Sequence, residues 1–197
     1  FKYIQYGVID AKWYGVPQNR KRFVLLAAKT HSVSIPTPIF TEKTGFCTVY
    51  PTIAKLPVLK AGEQNAKDEL HRSAGLSPLN LRRVKIIKKN RSELPEELVL
   101  ACHKHTTGHH DAYGRMDPDK PAPTLTTRFF SITTGRYIHP TQNRAISLRE
   151  GALLQTFPKN YQFHGSMQSI AKQIGNAVPP KMAKELISAL VTGNKNV

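Results

Sequence analysis

Apolar positions change rhythm along the chain, and each rhythm predicts a different kind of element. Val8-Ile9-Asp10-Ala11 and Phe23-Val24-Leu25-Leu26-Ala27-Ala28 flank Tyr14-Gly15-Val16-Pro17, a turn signal, so residues 1–29 read as a strand hairpin. The second run is apolar without alternation, as in a strand of an α/β sheet covered on both faces. From about 30 to 140 the rhythm breaks up around Pro36, Pro38, Pro51 and Pro57, which predicts short elements joined by turns. Within that stretch Leu76 to Ile87 is expected to be a short helix, with Ser77 near its start and Pro78 in its first turn. The C-terminal third is more regular. Ser147-Leu148-Arg149-Glu150 is a capping box, and the helix it opens should run to about Thr156 and stop before Pro158. A last helix should begin at Pro180 and end near Gly193, its stripe of Met182, Ala183, Leu186, Ile187, Leu190 and Val191 packing into a core.

Composition narrows the class. The chain has 197 residues, 40% hydrophobic and 21% charged, which suits a folded domain rather than a disordered one. No apolar run approaches the roughly 20 residues of a membrane span. The start, Phe1-Lys2-Tyr3-Ile4-Gln5, has no initiator Met, charged n-region or apolar h-region. No signal peptide is expected, and the start reads as the inside of a longer protein. Cys47 and Cys102 are the only cysteines, which excludes a disulfide framework and suits a reducing compartment.

Charge points to the partner. Lys and Arg number 29 against 13 Asp and Glu, a net charge of +16. From Leu70 to Ser92 there are seven basic residues, Arg72, Arg82, Arg83, Lys85, Lys88, Lys89 and Arg91, and no acid. That balance attracts a polyanion, nucleic acid first, although a solvated helix face gives the same run.

Three segments carry the candidate chemistry. They are Tyr14-Gly15-Val16-Pro17-Gln18-Asn19-Arg20-Lys21-Arg22; the stretch from Arg144 to Pro158 containing Ser147-Leu148-Arg149-Glu150; and Gln173-Ile174-Gly175-Asn176-Ala177-Val178-Pro179-Pro180. Arg20 and Arg22 alternate along an extended segment, so both guanidiniums are expected on one face about 7 Å apart, suited to a phosphate and a carbonyl oxygen. Asn176 follows Gly175 at an expected bend, where a short amide can meet a small ligand or cap a helix. Glu150 is accounted for by the capping box, and Arg149 and Glu150 are both read as structural. Cys102, His103, His105, His109 and His110 cluster, but their spacing is not that of a zinc finger or ribbon, and no metal site is expected.

Taken in order, these segments resemble the C-terminal half of the DNA cytosine-5 methyltransferases, and Thr124-Leu125 matches the Thr-Leu pair of that family's variable target-recognition region. The resemblance implies an α/β fold: edge strands and the C-terminal helix of an S-adenosylmethionine-dependent methyltransferase domain, from 1–32 and 170–197. A smaller, irregular, β-rich recognition domain would occupy 33–169. It implies that Arg22 lies near O2 of a flipped target cytosine, with Arg20 lining that site and the DNA backbone in a supporting catalytic role. Asn176 and Ala177 would contact S-adenosylmethionine. Gln18, Thr124, Leu125, Arg128 and Arg136 would meet DNA, and Arg82, Arg83 and Lys85 its phosphates. It implies double-stranded DNA as partner and a cytoplasmic, nucleoid-associated, bacterial type of protein. The family's Pro-Cys nucleophile, glycine-rich cofactor loop and Glu-Asn-Val block find no match here, so the N-terminal catalytic half is expected in the same protein or a separate subunit. A stand-alone or split-enzyme DNA-specificity subunit is the alternative, and a small zinc-binding basic module is a reading from another class.

Overall fold

The computed structural model describes residues 1–100 and 111–192. The hairpin is present: β1 (Tyr3–Asp10) pairs antiparallel with β2 (Lys21–Ala28), Tyr3 opposite Ala28 and Asp10 opposite Lys21. Its connection is not a simple turn. Asp10 caps a 3-10 helix, Ala11–Tyr14, by accepting from the Lys12 N–H, and Gly15 ends that helix at φ 74°, a left-handed conformation that glycine adopts without strain. The last helix, α5 (Pro180–Thr192; the α helices are numbered here in chain order), packs on one face of the hairpin. Ile9, Tyr14, Val16 and Met182 form one small core there, and Leu26, Ala28 and Val33 another.

Two expectations about this layer change. Within this chain β2 is covered on one face only: Phe23 and Leu25 are 64% and 54% exposed, beside Ile4, Tyr6 and Val8 across the register at 50%, 67% and 62%. Alternation puts these side chains on the face away from α5. The α5 stripe is also divided. Met182 is buried and Leu186 and Leu190 pack on the hairpin, but Ile187 and Val191 are 59% and 72% exposed, because one sheet face cannot contact so wide an arc of helix.

The rest of the described chain surrounds a larger core. Helices α1 (Val49–Ile53), α3 (Leu148–Leu154) and α4 (Met167–Asn176) meet in it with Leu125, Phe129, Tyr137 and Ile146. α2 (Pro78–Ile86) has Ser77 as its N-cap and Pro78 in its first turn, as the sequence predicts, and closes a second cluster with Leu98, Tyr113 and Ile138. The capping box at Ser147 and Glu150 is present in both directions. The β-rich character expected of 33–169 is not found among the described residues. They hold β3 (Gln64–Asn65), β4 (Asp68–Arg72) and isolated bridges, because recurrent prolines remove the N–H donors that a ladder needs. Apolar packing changes partner between α4, which buries Ile170, Ala171 and Ile174 in the large core, and α5, which belongs to the hairpin.

Candidate nucleic-acid and cofactor interface

Three segments distant in sequence converge on the end of the hairpin. The chain enters β2 over Asp10, whose carboxylate accepts from the Arg20 N–H at 2.8 Å. Gln18, fully buried, holds the next segment: its Oε1 accepts from the Leu125 N–H at 3.0 Å and its Nε2 donates to Gln155 Oε1 at 3.1 Å. Gln155 in turn donates to the Ile174 carbonyl at 2.6 Å. Asn19 donates its N–H to the Ala122 carbonyl and accepts from the Thr124 hydroxyl, at 2.8 and 2.7 Å.

Arg20 completes the junction. Its guanidinium donates to the carbonyls of Leu125 at 2.9 Å, Gly175 at 2.7 Å and Ala177 at 3.2 Å, and the residue is 2% exposed. Burial, with the Arg22 charge adding to it, lowers its pKa to about 10, which still leaves it cationic at neutral pH. The expected pair of arginines on one face is therefore corrected. Arg20 precedes the strand and turns inward, whereas Arg22 lies within β2, exposed, with Nη1 donating to the Lys21 carbonyl at 2.7 Å. The expected DNA contacts from Gln18, Arg20 and Leu125 are corrected for the same reason: all three are enclosed, and their polar groups bind protein.

Asn176 is the last residue of α4 rather than a bend, and Gly175 is helical. The glycine is there for contact. A Cβ at 175 would lie 2.6 Å from the Thr126 carbonyl carbon and 2.9 Å from the Thr127 nitrogen, so only glycine lets α4 press against the Thr124–Thr127 backbone. Asn176 is exposed, makes no side-chain hydrogen bond with a described residue, and adjoins Val178, 54% exposed. A free amide beside apolar surface fits the hydroxyls and heterocycle of S-adenosylmethionine. The Ala177 carbonyl is taken by Arg20 and Gln155 and its N–H donates to the Ile174 carbonyl, so Ala177 has only its methyl to offer.

Arg128 is exposed and lines a hollow of about 350 Å³ with Thr127, Phe130, Gln168 and Lys172. Arg136 is exposed and pairs with Asp111 at 3.0 Å. Arg82 and Lys85 are exposed on α2, but Arg83 is corrected. It is 8% exposed, donates from Nε to the Leu98 carbonyl at 2.8 Å and from Nη1 to Asn80 at 2.9 Å, and so ties α2 to its cluster instead of meeting phosphate. Cys102, His103, His105, His109 and His110 lie outside the described residues; among those described, no three His, Cys, Asp or Glu side chains are grouped to hold a metal ion. No described helix is long and apolar enough to cross a membrane.

The sequence reading missed a buried charge network around Glu150. Arg144, fully buried, donates to both Glu150 oxygens at 2.7 Å, and His139 Nε2 stands 3.4 Å from Glu150. Burial alone would raise the Glu150 carboxyl, but the Arg144 hydrogen bonds and charge, with the His139 bond, hold it well below the usual carboxylate range. Burial lowers the His139 pKa, only partly opposed by Glu150. Arg115, also given no role by the sequence, donates to the carbonyls of Val84, Ile87, His139 and Gln142. No local spacing marks such pairs, since an arginine binding loop carbonyls follows no period.

Comparison with known proteins gives the family. The model of the C-5 cytosine-specific DNA methylase family matches residues 3–192. The type II methylase M.HgiDII of Herpetosiphon aurantiacus is 39% identical over 196 residues, 95% of this chain and 55% of its own. The type II methyltransferase M1.HphI of Haemophilus parahaemolyticus is 33% identical over 192 residues, 96% of this chain and 48% of its own. The chain thus spans about half the length of these curated relatives. A crystal structure described as a DNA modification methyltransferase encoded within an E. coli prophage superposes with a TM-score of 0.65 at 19% identity, over 96% of this chain and 60% of that one, a likeness of fold. With its junction segments inside a match that runs nearly end to end, this chain belongs to the C-5 cytosine-specific DNA methylase family.

Proposed function

We propose that this chain is the DNA-reading, cofactor-closing half of a DNA cytosine-5 methyltransferase of the type II modification kind, working on double-stranded DNA in the cytoplasm. The observation that carries the reading is the junction at Arg20. It locks the 18–22 segment, the Thr124–Leu125 strip and the end of α4 together while leaving Arg22, Arg128 and Asn176 exposed around it. A junction of that kind holds a base-facing arginine, a groove-facing loop and a cofactor-facing amide in fixed relation.

Each residue then has a task. The target cytosine leaves the duplex, as bases do in DNA methyltransferases generally. Arg22 offers a planar donor pair to the O2 of that base, stabilising it in the pocket and as negative charge builds on the ring. Arg128, with Arg136 behind its Asp111 partner, reads base edges in the major groove. Arg82 and Lys85 contribute attraction to phosphates, without sequence information. Asn176, with the Ala177 methyl beside it, would hold S-adenosylmethionine, which supplies the methyl group for C5.

The nucleophilic cysteine that opens this chemistry has no match here in a Pro-Cys context, and the main cofactor loop has none either. We assign both to an N-terminal half, in the same protein or as a separate subunit. Support comes from the hairpin face of Ile4, Tyr6, Val8, Phe23 and Leu25. An apolar sheet face of that size is normally covered, as sheets of α/β domains are.

The test is methyl transfer from labelled S-adenosylmethionine to duplex DNA. This chain alone should be inactive, and activity should appear when both halves are present. In the two-half enzyme Arg22→Ala should lower the single-turnover rate by about ten- to a hundredfold, the worth of one charged hydrogen bond of about 1.5–3 kcal/mol, with a smaller loss of affinity. Transfer by this chain alone, or an unchanged rate with weakened binding, would reject the respective assignment.

A further inference from the structure

We propose that the cleft between β4 and the 158–165 loop is a nucleotide site, with the phosphate on Arg72 and Lys159 and the base against Tyr161. The cleft has a volume of about 650 Å³, within the roughly 300–1,000 Å³ of small-molecule sites. It is separate from the interface above. It meets α4 through Ile170, whereas Gln168 and Lys172, which line the hollow beside Arg128, lie on the opposite side of that helix.

Its charge is unbalanced. Asp68, one of its two carboxylates, is taken by Arg149, which donates to it at 2.6 and 2.9 Å. Glu69 alone then faces Lys67, Arg72 and Lys159. The Arg72 side chain makes no hydrogen bond or ion pair with a described residue, and its Nε is enclosed without a partner. An arginine fork left unfilled at the wall of a cleft is set for an oxyanion, and with lysines beside it a phosphate monoester or diester fits better than a single carboxylate.

The aromatic wall favours a nucleotide over bare phosphate. Tyr161 is 48% exposed in the cleft, and its ring is braced by Phe157 at 4.9 Å and Phe163 at 4.8 Å between centroids. A ring held this way offers a base a flat surface at little entropic cost. The nucleotide can be free or part of a strand, and the experiment separates the two.

The full chain is titrated with inorganic phosphate, thymidine 5′-monophosphate, an oligothymidine and a duplex, following the amide resonances of His164 and Gly165 and the heat of binding. The monophosphate should bind saturably and more tightly than phosphate. R72Q should weaken it by about tenfold, as expected when a charged hydrogen bond is removed, and K159Q, at an exposed position, by a few-fold. K29Q, at an exposed position after β2 that does not line the cleft, should leave it unchanged. If a strand is the ligand, the oligothymidine binds more tightly still and R72Q flattens its salt dependence by about 0.7 in log–log slope. If a free nucleotide is the ligand, the monophosphate is as tight as the strand. The proposal is overturned if no probe shifts His164 and Gly165, if phosphate binds as well as the nucleotide, or if neither R72Q nor K159Q alters the affinity.

Discussion

Arg20 and Gly175 lie 155 positions apart in sequence and meet at 2.7 Å, guanidinium Nη2 to carbonyl oxygen. The same guanidinium reaches Leu125, so one buried side chain fastens the hairpin, the recognition strip and the end of α4. Arg20→Gln removes the charge and leaves carbonyls of Leu125, Gly175 and Ala177 without their donor. Stability should fall by about 3 kcal/mol, since each buried unpaired acceptor costs about 1–3 kcal/mol and the site relaxes in part. Urea unfolding of the purified chain checks this. A change below about 0.5 kcal/mol, the range of an ordinary surface substitution, would mean that the three segments are held by their apolar packing instead.

Gly175→Ala tests the close approach of α4 to the Thr126–Thr127 backbone. In an open helix that change stabilises by about 0.5–1 kcal/mol. Here the added methyl meets backbone at 2.6 Å and 2.9 Å, which cannot rotate away, so the sign should reverse to a loss of about 1–3 kcal/mol. Gly7→Ala, within β1 and with nothing within 4 Å, is the control and should be neutral or stabilise by up to about 1 kcal/mol. Thermal unfolding of the two variants side by side gives the answer.

Acid should weaken the protein in two stages. His139 is held below its ordinary 6.5 by burial, so below pH 6.5 the unfolded chain binds a proton that the folded chain resists, and stability falls with pH. Glu150 is held below its ordinary 4.5, so its contribution is complete above that value and is lost as pH drops beneath it. Denaturant midpoints at pH 7, 5.5 and 4 should therefore decrease in order. His139→Gln should flatten the fall that sets in below pH 6.5. Glu150→Gln should destabilise at every pH, by about 3–5 kcal/mol at neutrality, because it strands the buried Arg144 charge.

Neighbours in one basic run should behave differently. Arg83→Gln should lower stability and leave DNA affinity nearly unchanged, because the side chain is committed to Leu98 and Asn80. Neutralising Arg82 and Lys85 should weaken target and non-target duplexes alike and reduce the salt slope by about 0.9 for each phosphate the protein no longer neutralises. Arg128→Gln should change the order of preference among sequences. Filter binding over several salt concentrations distinguishes the three. An affinity loss in Arg83→Gln as large as in the Arg82 and Lys85 variant would show that burial does not separate them.

Local order was legible in the sequence because it depends on neighbours along the chain. Ser77 with Pro78, Ser147 with Glu150, and Pro180 start helices through backbone groups no more than one turn away, and those three starts stand where the pattern put them. The junction segments also stood out as sequence, and their order carried the family. What each side chain faces was decided by tertiary structure. Arg20 and Arg22 carry the same group two positions apart, yet one is 2% exposed and the other stands on an open strand, because Arg20, just before the strand, meets the carbonyls of Leu125, Gly175 and Ala177. Arg83 differs from Arg82 only by the 100° turn of a helix, which aims it at the Leu98 carbonyl. Leu25 and Leu26 are equally apolar, but α5 covers one face of the hairpin and leaves the other open. Gly175 reads as a turn residue until α4 is seen against Thr126. In each case the deciding partner lies far away in sequence, and pairings of that kind leave no period for a sequence to show.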